Sequence, residues 1–159
     1  MNIEKMTTTM QQALGQAQQI AMVRKHQEID IPHLWKVFME PNHFARNLYS
    51  DLQVNDKEFE DLIDKELDRI SVVEGQNVQY GQSMSQNLYR LFTEAEKIRE
   101  SFKDDYLSTE VVVLALMELQ NHPLTRYLVQ HHVTKENLRA RIEELRGGER
   151  VTNQNQEEQ

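Results

Sequence analysis

Cysteine is absent from the 159-residue sequence, and glycine and proline are scarce, with five and three residues. The lack of cysteine excludes a disulfide scaffold, a thiolate zinc site and a cysteine nucleophile. It also suits a reducing compartment such as the cytoplasm. Because glycine and proline interrupt regular structure, their scarcity favours long helices over many short strands.

Long apolar runs are missing as well. The longest strongly apolar stretch is Val111–Met117, far shorter than the roughly 20 residues of a membrane-spanning helix. The first residues contain no apolar run of the kind found in signal peptides. The net charge of −8 argues against a general nucleic-acid binder, which would present a basic face. The sequence therefore predicts a soluble protein that binds neither membranes nor nucleic acid.

Apolar residues at helical spacing occupy the first half of the chain. The first stripe predicts one amphipathic helix, and its members are Met6, Met10, Ala13, Leu14, Ala17, Ile20 and Ala21. Asp30 is the predicted N-cap of a second helix, with Pro32 in its first turn. A third helix is predicted over 43–52, and a fourth begins at Asn55 or Asp56.

The apolar pattern starts again at Met84, and the positions after it keep the offset that separates Met84 from Met6. The matching pairs include Met6/Met84, Leu14/Phe92, Ile20/Ile98, Ile29/Leu107 and Phe38/Leu116, and then, after a slip of one residue, Val54/Val133 and Ile63/Ile142. Two amphipathic helices can match by chance, but a register kept across several helices and their turns indicates an internal duplication. We therefore predict an all-α fold of two pseudo-symmetric four-helix units, about eight helices in all. An insertion in one loop accounts for the slip.

The segments between and after the repeats differ in composition. Residues 71–83 contain two glycines and no helical stripe, which predicts a linker. Arg146, Gly147 and Gly148 are expected to end the last helix. The residues after them are polar and have nothing to bury, so we expect disorder or a tether there.

Motifs for catalysis or metal binding are missing. A phosphate-binding loop requires G-x-x-x-x-G-K-[ST], but Gly75 and Gly81 have the wrong spacing and Gln82 follows them. The adjacent His131 and His132 point in different directions on a helix and chelate a metal poorly. No nucleophile elbow of the G-x-S-x-G type occurs. The chain is thus predicted to be a binding module with no catalytic or metal-ligating residues, and a small helical hydrolase is the less favoured alternative.

Three segments resemble the N-terminal repeat domain of the Clp chaperones. They are HQEIDIPHL (26–34) and DDYLSTEVVVLAL (104–116), which match the turn into the second helix of each repeat, and GGERVTNQNQEEQ (147–159). The last segment resembles the connection between this domain and the first ATPase module in the ClpB branch of the family. Ile31 between Asp30 and Pro32, and Val111 with Val112 in place of His-Leu, depart from the family pattern.

The resemblance implies a double-repeat domain over residues 1–148, with repeat one at 1–70, a linker at 71–83 and repeat two at 84–148. Residues 149–159 would be a flexible tether toward an ATPase module that this sequence does not contain. ATP and Mg²⁺ are implied only for such modules, which form a hexameric ring, and no cofactor is implied for this domain. The isolated domain is expected to be a cytoplasmic monomer.

The resemblance also implies a function, the capture of unfolded or aggregated protein for the ring ATPase of a disaggregase. Related domains of the ClpC and ClpA type dock dedicated adaptor proteins, and this alternative stays open. The expected receptor for an unfolded chain is an apolar groove between the repeats, because unfolded chains share exposed hydrophobic side chains.

Six residues are candidates for the client-binding surface. Three polar candidates come from the resemblance: Thr7 begins the first helix as in the family, and Asp104 and Glu110 match two acidic positions that the family associates with substrate handling. Their alternative role is helix capping, since Thr7 precedes the first helix and Glu110 lies in a first turn. The apolar candidates come from the helical stripes, where burial in the core is the alternative; they are Met10, Leu14 and Leu91. We expect the three polar residues to lie near one another at the seam between the repeats.

Overall fold

Eight α-helices make up most of the part of the chain that the structure, a computed structural model, describes, namely residues 2–156. The helices of repeat one are α1 (Thr8–Val23), α2 (Ile31–Phe38), α3 (Phe44–Asp51) and α4 (Asp56–Asp68). The helices of repeat two are α5 (Gln86–Phe102), α6 (Thr109–Leu116), α7 (Pro123–Gln130) and α8 (Lys135–Arg146). A short 3-10 helix (Ile3–Lys5) precedes α1, and two-residue strands lie at β1 (Glu28–Ile29) and β2 (Ser83–Met84). The predicted all-α fold is confirmed.

Side-chain caps fix where the helices begin. The Thr7 hydroxyl accepts the Met10 N–H at 3.2 Å at the start of α1, and the Ser85 hydroxyl accepts the Leu88 N–H at 3.0 Å at the start of α5. Asp30 caps α2 as predicted. Asn55 caps α4, which decides between the two predicted starts. Each cap satisfies backbone N–H groups that a helix leaves free in its first turn.

Backbone conformation repeats with the same offset as the apolar pattern. Lys25 and Lys103, which correspond in the register of Met6 and Met84, both adopt the left-handed conformation, with φ of 61° and 59°. Gln53 and His132, which correspond in the shifted register of Val54 and Val133, have φ of 69° and 68°. The extra residue lies between these positions, because the loop from α6 to α7 (117–122) is one residue longer than the loop from α2 to α3 (39–43). The duplication and its single loop insertion are therefore visible in the backbone.

The seam between the repeats is built from two equivalent pairings. Met6 pairs with Leu107, and Met84 pairs with Ile29, both in parallel. The Thr7 N–H donates to the Leu107 carbonyl at 3.0 Å, and the Ser85 N–H donates to the Ile29 carbonyl at 2.8 Å. Corresponding members of the two pairings are separated by the same offset as the apolar pattern. Each repeat therefore begins against the turn of the other, as a pseudo-two-fold axis requires.

One continuous core runs through both repeats, with α2 and α6 at its centre. In α6 every residue except Glu110 is buried. The longest apolar stretch of the sequence is thus an interior helix, which is apolar on all sides because every side is covered. Across residues 2–156, no helix is long and apolar enough to cross a membrane.

The segment after α8 does not follow the expectation that it has nothing to bury. Val151 is buried, its N–H donates to Asp104 Oδ1 at 2.9 Å, and its carbonyl accepts the Asp105 N–H at 2.8 Å. Further along, the Gln154 carbonyl accepts the Thr8 N–H at 2.9 Å. The expectation is wrong for residues 149–156 because a single valine and several backbone bonds hold the segment against the repeats. Residues 157–159 of the predicted tether lie outside the described residues.

Candidate functional site

Asp104 and Glu110 meet on one guanidinium group, that of Arg146 at the end of α8. Arg146 Nη1 and Nη2 donate to the two carboxylate oxygens of Asp104 at 3.0 and 2.8 Å. Arg146 Nε donates to Glu110 Oε2, and the guanidinium carbon lies 4.5 Å from the centre of the Phe102 ring. The side chains of Arg146, Asp104 and Glu110 are 7, 0 and 12% exposed. One cation therefore joins two buried carboxylates in a low-dielectric setting.

The charges of Asp104 and Glu110 are balanced within the cluster by Arg146. Burial raises the pKa of the Glu110 carboxyl, and the neighbouring Arg146 opposes that rise. Asp104 does not cap α6, since the N-cap residue is Ser108, which makes no side-chain cap bond. Glu110 lies in the first turn of α6 as predicted. Both carboxylates are thus satisfied by Arg146 rather than directed toward solvent.

Thr7 belongs to the same neighbourhood but faces the interior. Its residue is buried and its hydroxyl caps α1. Its N–H bonds to Leu107, which stands midway between Asp104 and Glu110 in the sequence. The structure therefore brings the three polar candidates to the seam, although none of the three side chains is exposed.

The apolar candidates Met10, Leu14 and Leu91 are all core residues. Burial, the alternative weighed for them from the sequence, is what the structure shows. Their predicted contact with a client therefore lacks an exposed surface in this fold.

An apolar groove does lie at the seam, one layer outside these residues. Its N-terminal wall is the segment 2–6, its opposite wall is the exposed side of α5, and its volume is about 380 Å³. The lining residues are Asn2, Lys5, Met6, Tyr89, Phe92, Thr93, Glu96, Lys97, Glu100 and Leu107. Tyr89 is 59% exposed, and Ile3 on the N-terminal wall is 48% exposed. We call this feature the seam groove.

Tyr89 and Ile3 were missed by reasoning from the sequence. Periodicity selects the residues that face the core, and Tyr89 lies one position beyond the buried Leu88. The available signal was an aromatic residue on the polar side of a helix, where an apolar side chain has no core to join.

The equivalent position on repeat one is closed. In the register that matches Met6 with Met84, α1 residues 11–22 correspond to α5 residues 89–100. There the linker lies directly on α1, with Gln18 Nε2 donating to the Gly81 carbonyl at 2.7 Å. A Cβ at Gly81 would lie 3.1 Å from the Gln18 carbonyl oxygen and 3.2 Å from Met22 Cγ, and φ there is +64°. Only glycine fits so close an approach, so the linker covers the counterpart of the seam groove.

A second apolar depression, of about 500 Å³, lies at the far end of repeat two. It is lined in part by Met117, Thr125 and Val129, and Val129 is 55% exposed. It is formed by the loop between α6 and α7, by α7 and by the start of α8. This depression is therefore a natural comparison for the seam groove.

Two buried histidines form the remaining titratable pair of interest. His33 Nδ1 accepts the Asp30 N–H at 2.8 Å, so the proton of the neutral ring resides on Nε2, which faces His26 Nδ1 at 2.8 Å. Burial, followed by the charge of a protonated His26, lowers the pKa of His33 to about 4. Within residues 2–156, no group of three or more His, Asp or Glu residues is placed to hold a metal ion. His33 completes the capping box at the start of α2.

Comparison with known proteins agrees with this fold and seam. The family model of the Clp repeat (R) N-terminal domain matches residues 5–131. The chain belongs to this family. Over its whole length the Clp repeat domain described here is 58% identical to chaperone protein ClpB of Enterococcus faecalis, and it is 57% identical over 158 residues to that of Lactococcus lactis subsp. cremoris. It spans only 18% of the length of each relative, in their N-terminal region. The resemblance predicted from the sequence is confirmed.

Solved structures support the same Clp repeat fold. The N-terminal domain of Hsp104 from Candida albicans superposes with a TM-score of 0.76 at 19% identity, covering 94% of this chain and 97% of that one. The N-domain of ClpV from Vibrio cholerae gives a TM-score of 0.76 at 19% identity, covering 94% and 90%. The fold is thus shared by Clp repeat domains whose sequences have diverged widely.

Proposed function

We propose that this domain captures apolar segments of unfolded or aggregated protein in the seam groove and presents them to ATPase modules of a longer ClpB-type chain. The observation that carries the proposal is the open groove itself. In it the exposed Tyr89 lies beside Met6, Phe92 and Leu107, which line the groove but are themselves buried. Exposed apolar surface set in a groove favours burial of another apolar chain.

The size of the groove fits a short segment. About 380 Å³ accommodates a few side chains, and its rim carries charges of both signs, Lys5 and Lys97 beside Glu96 and Glu100. Because the rim carries both signs of charge, it discriminates little between client segments of different net charge. This property suits a receptor for many clients. Weak binding is sufficient, because a domain tethered to a ring raises the local client concentration without high affinity.

The relatives support this assignment. The matched proteins are named chaperone protein ClpB. The N-domain of ClpV, which shares the fold at 19% identity, has been solved in complex with a VipB peptide. In this proposal the domain itself is not catalytic and needs no cofactor. ATP and Mg²⁺ would act in modules outside this sequence, and the setting would be the cytoplasm.

Docking of a folded adaptor, as in domains of the ClpC and ClpA type, is the second candidate. A stable complex of two folded proteins usually buries roughly 800 Å² on each partner, which extends well beyond the seam groove. An adaptor would thus engage flat surface around the groove as well, and loss of Tyr89 alone would weaken it less. One stoichiometric folded partner, with no affinity for unfolded protein, would favour the adaptor.

Titration of the isotope-labelled domain with reduced, carboxymethylated lactalbumin tests the proposal. Chemical-shift changes are expected to concentrate at residues 2–6 and on the exposed side of α5. Tyr89→Ser is expected to weaken binding by roughly tenfold or more, as for a central apolar contact. Val129→Ser removes an equally exposed apolar side chain from the second depression, and we expect it to leave binding unchanged. Shifts centred on Val129, or equal binding by the Tyr89 variant and the unaltered domain, would overturn the proposal.

A further inference from the structure

The segment 149–156 is attached to the domain at two places. The first is the loop after α5, where the Arg150 guanidinium donates to the Lys103 carbonyl at 2.9 Å and the Val151 N–H donates to Asp104. The second is the N-terminal wall of the seam groove. There Gln154 Nε2 donates to the carbonyls of Glu4 and Met6, at 3.0 Å each. The segment therefore spans from the Arg146 cluster to the groove.

The wall that Gln154 contacts has little stability of its own. Its first part is a three-residue 3-10 helix with no buried residue, and such short helices have poor hydrogen-bond geometry. Met6, the last residue of the wall, is buried and anchors it at one end. Chain ends without buried side chains are usually mobile unless other parts of the molecule hold them, so the position of residues 2–5 depends on the bonds that reach the wall from outside.

Those outside bonds come from the seam, from the segment 149–156 and from α1, where Gln11 Nε2 donates to the Met6 carbonyl at 3.1 Å. On the groove side, the Leu107 N–H donates to the Lys5 carbonyl at 2.8 Å. On the opposite side, Gln154 bonds to Glu4 and Met6 through its side chain and to the Thr8 N–H through its carbonyl. The counterpart of this wall in the other repeat is the segment 80–84. It is held differently, because Gly81 bonds directly to Gln18 of α1. Gln154 thus adds a bond to the Glu4 carbonyl that neither the seam nor Gln11 supplies.

We propose that Gln154 is a positioning residue for the seam groove, and that residues 149–156 act through it as a latch on the N-terminal wall. The proposal rests on the proposed function for the groove. Docking of the latch and occupation of the groove by an apolar segment are then coupled, and the coupling is reciprocal. A bound segment holds the latch down, and release of the latch loosens the groove. In a chain that continues past residue 159, as the ClpB relatives do, tension on that continuation would promote client release.

Amide hydrogen exchange of the 159-residue chain tests the latch without any ligand. We expect Gln154→Ala to speed exchange of the Thr8 amide, which bonds to the latch, and of the Thr7 amide, which follows the wall and bonds to Leu107 at the seam, by on the order of tenfold. The Ser85 amide, which makes the pseudo-symmetric bond to Ile29, is the internal control and should not change. Glu149→Ala, at an exposed residue of the same segment, is the control variant.

Binding of reduced, carboxymethylated lactalbumin completes the test. We expect Gln154→Ala to weaken binding several-fold while the melting temperature changes little, and lactalbumin added to the unaltered chain to slow exchange at Thr8. Faster exchange at Thr8 with no change at Thr7 would show that latch and wall are independent and would overturn the proposal. Equal binding by the Gln154 variant, with Tyr89→Ser impaired, would overturn the positioning role alone. Absence of binding by the unaltered chain would refute the proposed function, and the exchange data would still decide whether the latch exists.

Discussion

Arg146 donates three side-chain hydrogen bonds to the carboxylates of Asp104 and Glu110. It balances two carboxylates that were predicted from the sequence as neighbouring positions of the client-binding surface, and through Asp104 it reaches Val151. A buried charge that loses its counter-charge costs far more than the pair contributes. The polar cluster is therefore sensitive to single substitutions even where it makes no contact with a client.

Replacement of Arg146 with methionine tests this sensitivity. We expect Arg146→Met to lower the free energy of unfolding by about 3–5 kcal/mol, because the Asp104 carboxylate is left buried without its counter-charge. Urea denaturation at neutral pH measures the change. Arg141→Met is the matched control on the same helix, since the Arg141–Asp51 pair is one-third exposed on both sides and should contribute less than about 1 kcal/mol. Similar losses in the two variants would show that the cluster is not effectively buried.

His33 makes the stability of the domain dependent on pH. Its pKa is about 4 in the folded state and about 6.5 in an unfolded chain. Between these values the unfolded state binds more protons, so stability is complete above pH 6.5 and falls as the pH is lowered toward 4. From neutral pH to pH 5, we expect His33 to account for a loss of about 2 kcal/mol.

His33→Gln provides the measurement for that expectation. Glutamine at this position of the helix can still accept the Asp30 N–H as part of a capping box, but it does not titrate. Urea midpoints at pH 7.5 and pH 5 should therefore differ less in the variant than in the unaltered chain. Burial also lowers the pKa values of His26, His43 and His122, so part of the slope should remain. An identical slope in both proteins would contradict the assignment to His33.

At the scale of the helix, the ends of α1 and α5 carry lysine in a conformation that favours glycine. Lys103 follows α5 with φ of 59° and ψ of 34°, where a side chain costs about 1–2 kcal/mol relative to the right-handed conformation. We expect Lys103→Gly to raise the free energy of unfolding by about 0.5–1 kcal/mol, since glycine adopts this conformation without a steric penalty.

The same substitution inside α5 supplies the control. Lys97→Gly should instead lower stability by about 1 kcal/mol, because glycine is a poor residue in a helix interior. Thermal or urea unfolding of both variants gives the two signs. Destabilisation by Lys103→Gly as well would mean that the lysine side chain, rather than its backbone, matters at that helix end.

Most of the helical elements could be predicted from the sequence, whereas the functional surfaces could not. The stripe that starts with Met6 and Met10 and its copy that starts with Met84 and Leu88 reflect burial, and burial is what periodicity reports. The seam groove depends on which residues remain uncovered once the repeats pack together, and Tyr89 carries no periodic signal. Val151 was misjudged because one apolar residue in a polar segment is weak evidence of docking. The partner of Asp104 and Glu110, Arg146, is distant in sequence and becomes visible only in three dimensions.

At the scale of the whole molecule, the two repeats depend on each other. Each begins with a segment that pairs with the turn of the other, at Met6–Leu107 and Met84–Ile29, and the core passes through both without a break. Separate units of about 70 residues are only marginally stable. The two repeats are thus held together by the seam that the duplication creates, and the seam groove lies beside it.

Gly81 determines how many copies of the seam groove the domain presents. A duplicated fold would offer two identical clefts, but at the second one the Gly81 carbonyl bonds to Gln18, and a Cβ at Gly81 would lie 3.2 Å from Met22 Cγ. Under the proposed function each chain then presents one seam groove, so one client molecule would gain avidity only by engaging several copies of the domain at once. Large aggregates with many exposed segments would meet that condition, whereas a single short unfolded chain would not, and one residue would thereby bias an assembly of these domains toward large clients.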